Sequence, residues 1–209
     1  MISRWLVLIL ACAFVNHTMP ADRFIGDNID CVILLHGLTR TSRSMQQIEQ
    51  ALAAQGFHVV NVDYPSRKYT IETLASLAID QGLTECPSDS KVNFVTHSLG
   101  GILVRYYFAV NAKARLGRVV MLAPPNRGSE VVDRLKAFPG FDLLNGPAGS
   151  QLGTGVDSVP LNLGPVDFEL GVIAGTASIN PILSQFLPNP DDGKVSVART
   201  KVAGMKDFV

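Results

Sequence analysis

The feature that most constrains this chain is a repeated alternation. Short, continuous apolar runs rich in β-branched residues are each followed by a longer segment with helical periodicity. Residues 31–36, CVILLH, form the first such run. An apolar run uninterrupted by polar residues suits a strand covered on both faces, because neither row of side chains meets water. Residues 42–56 follow, with Met45, Ile48 and Leu52 on one helical face. Ser44 and Gln47 have the spacing of a capping box, and Gly56 ends the segment. The rhythm continues with strands over 57–63, 91–96, 118–122 and 168–175, and helices over 70–82, 98–110 and 129–138. Strand, helix, strand in this order calls for parallel pairing through crossover helices. The expected fold class is α/β: an open, doubly wound, mostly parallel sheet with flanking helices. Ligands of such sheets bind beyond the carboxyl ends of the strands, so functional residues belong in the loops just after them.

At 209 residues the chain has the length of one domain with a sizeable core. Eighteen basic residues balance eighteen acidic ones, which argues against a nucleic-acid partner, since no basic excess is present to hold phosphates. The amino terminus carries one basic residue, Arg4, before an apolar run over 5–15. That run is short for a bilayer span and has the length of a signal-peptide core. The expected organisation is a signal peptide over 1–21 and one domain over 22–209, with a periplasmic or secreted location. The stretch ILAC at 9–12 also resembles a lipoprotein signal, which makes an anchor through Cys12 the alternative. Loss of Cys12 with the leader would leave Cys31 and Cys86, either as a disulfide or as two buried thiols. No cysteine or histidine spacing suggests a metal site. Residues 139–165 are rich in Gly, Pro and Asn. They read as a long loop, either the lid or wall of an apolar pocket or a passive surface segment.

The chemistry concentrates at the expected strand ends. Residues 94–101 read FVTHSLGG. A serine on a sharp strand-to-helix turn has its hydroxyl lifted above the sheet edge, and small neighbours let strand and helix approach. Gly100 and Gly101 are those neighbours; in an ordinary helix they would cost stability, and close approach gives them a reason. The blander reading makes Ser98 an N-cap only. A second signal is LLHGLTRTS at 34–42, where His36 and Gly37 end the first strand. The N–H of Leu38, paired with that of Leu99, would hold the oxyanion of a tetrahedral intermediate. His36 by itself reads as structural. The NPDDGKVSV stretch at 189–197 is a turn by composition.

VILLHGL, VTHSLGG and LAPPNRGSE, in this order, resemble the lipase and esterase branch of the α/β-hydrolase fold, closest to small bacterial members with little or no cap domain. The resemblance runs from Cys31 to the end of the chain. It implies Ser98 as nucleophile and Asp192 as triad acid, with Asp191 as the fallback. It implies an oxyanion hole of the Leu38 and Leu99 N–H groups, and supporting roles for His36, Gly37, His97 and Gly100. It places Cys31 and Cys86 on neighbouring strands at the edge opposite the site, so that a bond between them would be structural. The chemistry implied needs no metal or organic cofactor. The implied substrate is a small-molecule ester or lipid with an apolar acyl group.

Two departures from the family pattern stand out. Thr96 occupies the first glycine of G-x-S-x-G, and no histidine follows Asp192, although the family order is serine, acid, histidine. The histidines are His17, His36, His58 and His97. None is expected to serve as base, and His97 adjoins Ser98 too closely to turn onto it. The expectation is therefore a serine hydrolase of carboxylic esters whose last strand, histidine loop and final helix would follow Val209. The alternative is a catalytically impaired binding protein of the same fold.

Overall fold

A computed structural model describes residues 30–178 and 180–209. The expected leader, with Cys12 and His17, lies outside the described residues. Six parallel strands form one sheet in the order β2-β1-β3-β4-β5-β6. They are β1 (Cys31–Leu35), β2 (His58–Val62), β3 (Val92–His97), β4 (Leu116–Leu122), β5 (Leu170–Ile173) and β6 (Asp207–Phe208). The helices are α1 (Gln46–Ala54), α2 (Ile71–Glu85), α3 (Leu99–Val110), α4 (Glu130–Lys136), α5 (Phe141–Ser150), α6 (Val159–Asn162), α7 (Pro181–Ser184) and α8 (Val197–Thr200).

The uninterrupted apolar run of β1 is covered on both sides. Ile33 and Leu35 join the large core that includes α2 and α3, whereas Val32 and Leu34 pack with Met45, Ile48 and Leu52 on the α1 side. All five β1 residues are buried. This two-sided burial makes the sheet doubly wound, as the sequence pattern requires.

Three local expectations are corrected. Residues 42–56 do not begin as a capped α-helix: a 3₁₀ turn over Ser42–Met45 precedes α1, and the Ser44 hydroxyl bonds back to the Thr41 carbonyl. The 139–165 segment is not an irregular loop but holds α5 and α6. Gly146 breaks α5 with φ 66 and ψ −176, ahead of Pro147, so the helical periodicity is interrupted where a sequence reading would look for it. The fifth strand is shorter than 168–175, ending at Ile173.

Cys31 and Cys86 are joined in a disulfide, with Cα atoms 5.8 Å apart. It ties the start of β1 to the cap residue of α2, at the amino edge of the sheet. Closing a chain segment of 55 residues restricts the unfolded ensemble. Replacing both cysteines by serine should lower the unfolding free energy by about 2–5 kcal/mol in urea titrations, with the native circular dichroism retained.

Candidate active site

Every residue singled out at the strand ends lies at the carboxyl edge of the sheet. The geometry there is unusual in a consistent way. Thr39 after β1, Ser98 after β3 and Ala123 after β4 have positive φ, at 57, 50 and 45. Non-glycine residues rarely adopt this region, and such strain clusters at functional sites. The strain at Ala123 left no mark in its residue type and was not anticipated.

Ser98 does not act as a helix cap. Its φ of 50 and ψ of −116 differ from the extended conformation of an N-cap, and its side chain makes no capping bond. The turn is fixed instead by its backbone: Ser98 N–H donates to the Leu122 carbonyl at 2.9 Å, and Gly101 N–H donates to the Ser98 carbonyl at 3.0 Å. The glycines around it are required by space. A Cβ on Gly100 would sit 2.6 Å from the Leu35 carbonyl oxygen, and one on Gly101 2.9 Å from Met121 Sδ. A Cβ on Gly37 would meet His97 Nδ1 at 2.6 Å and Ser98 Cβ at 3.3 Å. Thr96, by contrast, is accommodated: it is fully buried between β1 and β4, with its hydroxyl 3.5 Å from the Val120 carbonyl.

Leu38 and Ser98 both line a cavity of about 190 Å³. The N–H groups of Leu38 and Leu99 donate to no other group among the described residues. Free backbone donors beside an emergent serine are the arrangement that holds a developing oxyanion. Most of the cavity wall is apolar. It comes from α4 (Val131, Val132, Leu135), from the 139–165 segment (Phe141, Leu152) and from Leu183. The 139–165 segment thus does wall an apolar pocket, as one of its two readings expected. The α4 contribution escaped the sequence reading, because Val131, Val132 and Leu135 look like ordinary helix-face residues.

Asp192 reaches the same edge although eighteen residues separate it from the end of β5. A Cβ on Gly175 would touch Asp192 Cβ at 2.8 Å. Its Oδ1 accepts N–H bonds from Lys194 and Val195, both 2.8 Å, and its Oδ2 accepts none among the described residues. Asp191 is different: buried, it accepts from Gly193 N–H and from the Ser184 hydroxyl through separate oxygens. Asp192 therefore has an oxygen open to a further donor, whereas both oxygens of Asp191 are engaged within its own loop.

The histidines divide by position. His36 is buried and stacked on Tyr64, with ring centroids 4.1 Å apart. Its Nδ1 lies 2.9 Å from the Gly37 carbonyl, and its Nε2 accepts the Tyr64 N–H at 3.3 Å. An imidazole that donates through one nitrogen and accepts through the other is neutral. The Asp63 carboxylate 3.6 Å away is thus a neighbour and not an ion-pair partner. His36 is a structural support, and His58 stands at the amino end of β2 against the Glu85 carbonyl. His97 lines the cavity beside Ser98, and its imidazole makes no hydrogen bond among the described residues.

Burial and the loop that follows β4 carry the remaining scaffold. Buried Arg105 on α3 donates to the Asn126 carbonyl and to those of Pro160 and Gly164. Asn126 in turn donates to the Thr200 carbonyl. The PPN turn after β4 is thereby fixed to α3, α6 and α8. Ser129 donates to the Lys194 carbonyl at 2.7 Å, tying the start of α4 to the Asp192 loop.

A six-stranded parallel sheet with a strained serine elbow at its carboxyl edge defines the α/β-hydrolase fold. Residues 32–198 match the alpha/beta hydrolase family, and the chain belongs to it. No curated protein is similar in sequence. Among solved structures, the mature form of the Bacillus licheniformis lipase BlEst2 is 19% identical with a TM-score of 0.67, over 88% of this chain and 84% of that one. The metagenomic carboxyl esterase MGS0156 is 19% identical with a TM-score of 0.65, over 90% of this chain and 66% of that one. Phospholipase PlaB from Legionella pneumophila is 23% identical with a TM-score of 0.62, over 83% of this chain. The chain spans 45% of PlaB and 47% of the propeptide form of BlEst2. At these identities the likeness is one of fold.

The pKa of His97 is lowered first by burial, then by the charges of Lys194 and Arg40, with Asp192 opposing. That of His36 is lowered by burial. The unfolded chain takes up protons on both near the ordinary value of 6.5, whereas the folded chain resists. Stability held above that pH is therefore lost as pH falls through and below it. Thermal unfolding followed from about pH 7.5 down to about pH 5 should show a falling Tm, with a shallower fall in His97→Gln.

Proposed function

We propose that this protein is a serine hydrolase of carboxylic esters that works through an acyl-enzyme at Ser98. The observation that carries the reading is the strained Ser98 elbow, opening into an apolar cavity beside two uncommitted backbone N–H groups. Ser98 Oγ attacks the acyl carbonyl, and the oxyanion is held by Leu38 and Leu99 N–H. The acyl chain lies along Val131, Leu135, Phe141 and Leu152. Collapse of the tetrahedral intermediate expels the alcohol, and water then releases the acid. Asp192, through its open oxygen, orients the histidine that serves as base. That histidine is none of those described: His36 and His58 are bonded elsewhere, and His97 adjoins Ser98 in the chain. The lipase, phospholipase and esterase named above are consistent with an ester or lipid substrate. A leader over 1–21 would deliver the enzyme outside the cytoplasm, in keeping with the disulfide.

The test is intact-mass measurement of protein from its native source, with and without a fluorophosphonate probe. The expected result is one probe per chain, absent in Ser98→Ala. Ester turnover should fall on the order of 10⁶ in Ser98→Ala and on the order of 10⁴ in Asp192→Asn. The untreated mass reports the ends of the native polypeptide. A native chain ending at Val209 that gains no probe would overturn the enzyme reading and favour a binding protein using the same cleft.

A further inference from the structure

A second depression adjoins the candidate site. It measures about 920 Å³ and meets the Ser98 cavity at Thr39, which lines both. Its walls are the loop after β1 (Thr39, Arg40), the loop after β2 (Asp63, Arg67, Lys68) and the outer face of α5 (Leu143, Leu144). The structure holds these parts together closely. The Gly146 backbone rests against the Arg67 carbonyl, so that a Cβ there would lie 1.8 Å from its oxygen. Thr39 N–H donates to the buried Ser66 hydroxyl at 3.1 Å.

The charge of this groove is one-sided. Arg40, Arg67 and Lys68 face a single carboxylate, Asp63, which already accepts the Ser42 N–H at 2.9 Å. None of the three cations forms an ion pair among the described residues. A fourth cation, Lys194, lines the adjoining cavity. Beside the cations, Leu143 and Leu144 are 84% and 62% exposed. Apolar side chains left in water next to unpaired cations, at the mouth of an apolar cavity, describe a surface for an amphiphile with a negative head.

We propose that this groove binds a phosphate-type anion on the alcohol portion of an amphiphilic acyl ester whose acyl chain occupies the Ser98 cavity. The identity of the acyl half rests on the ester-hydrolase reading; the anion site does not. Guanidinium groups pair with phosphate oxygens through two parallel N–H bonds, and a phosphate monoester carries close to two negative charges near neutrality. Three cations with one engaged carboxylate match that charge. Leu143 and Leu144 then cover the glycerol-like or methylene portion between head and ester.

The experiment uses hexyl phosphate, 1-hexanol and inorganic phosphate as probes of the full chain by titration calorimetry. Hexyl phosphate should bind about tenfold or more tighter than hexanol and tighter than inorganic phosphate. The advantage over hexanol should shrink in Arg67→Gln/Lys68→Gln, and independently in Arg40→Gln, and it should weaken in high salt. Thermal unfolding of the variants should match that of the parent chain. Equal binding of hexyl phosphate and hexanol, or an advantage unchanged in both variants, would overturn the proposal. So would inorganic phosphate binding as tightly as hexyl phosphate, which would mark a free-phosphate site. In parallel, hydrolysis of monohexanoylglycerol is compared with that of its phosphate ester. The phosphorylated substrate should have the higher kcat/KM, and Arg67→Gln/Lys68→Gln should remove that difference. If neither ester is cleaved while hexyl phosphate binding still depends on the cations, the hydrolase reading fails and the anion site stands.

Discussion

The site depends on one steric constraint: α3 lies so close to β1 and β4 that no Cβ fits at Gly100 or Gly101. That contact forces the chain to leave β3 through a turn with φ 50 at Ser98 and lifts the residue into the cleft. A non-glycine residue in this conformation costs about 1–3 kcal/mol. The cost is met within the same helix, because Leu99, Ile102, Leu103, Val104 and Phe108 are all buried. Each contributes about 1.5–3 kcal/mol by leaving water, so the packing of α3 exceeds the strain it imposes several-fold. The same crowding reaches Gly37, where a side chain would collide with His97. The His-Gly pair after β1 and the Gly-Gly pair after Ser98 are thus two halves of one packing requirement.

Around that elbow polar bonds tie the loops to one another. Arg105 satisfies three carbonyls from two segments, the turn after β4 and the α6 region, and Asn126 passes the connection on to Thr200. The Asp191–Asp192 turn is held from within by Ser184 and Gly193 and from outside by Ser129. A buried guanidinium surrounded by carbonyls is costly to leave unsatisfied, so each bond constrains the others. The result is a rigid frame on which Asp192 keeps one oxygen engaged and one open.

Electrostatically the cleft is layered. The cavity wall is mostly apolar, and the pKa of His97 in it is lowered by burial and by the charges of Lys194 and Arg40. Its rim is positive on the side of the loops after β1 and β2.

The strand-helix alternation determined the fold class and the sheet edge at which the site lies, because two-sided burial and 3.6-residue periodicity are properties of local sequence. Gly37, the Ser98 turn and Gly100-Gly101 were legible for the same reason: each is a residue type that its local conformation demands. The broken helix α5 was not legible, since Gly146 and Pro147 interrupt the pattern that marks a helix. The choice between Asp192 and Asp191 also lay beyond the sequence, because two adjacent carboxylates differ only in which partners the folded loop brings to them. Val131, Val132 and Leu135 became cavity wall, and Arg40, Arg67 and Lys68 became one groove, only through tertiary placement. Sequence determines what each segment can be, whereas the distances between segments, and so every contact made across the cleft, are decided by how the helices pack on the sheet.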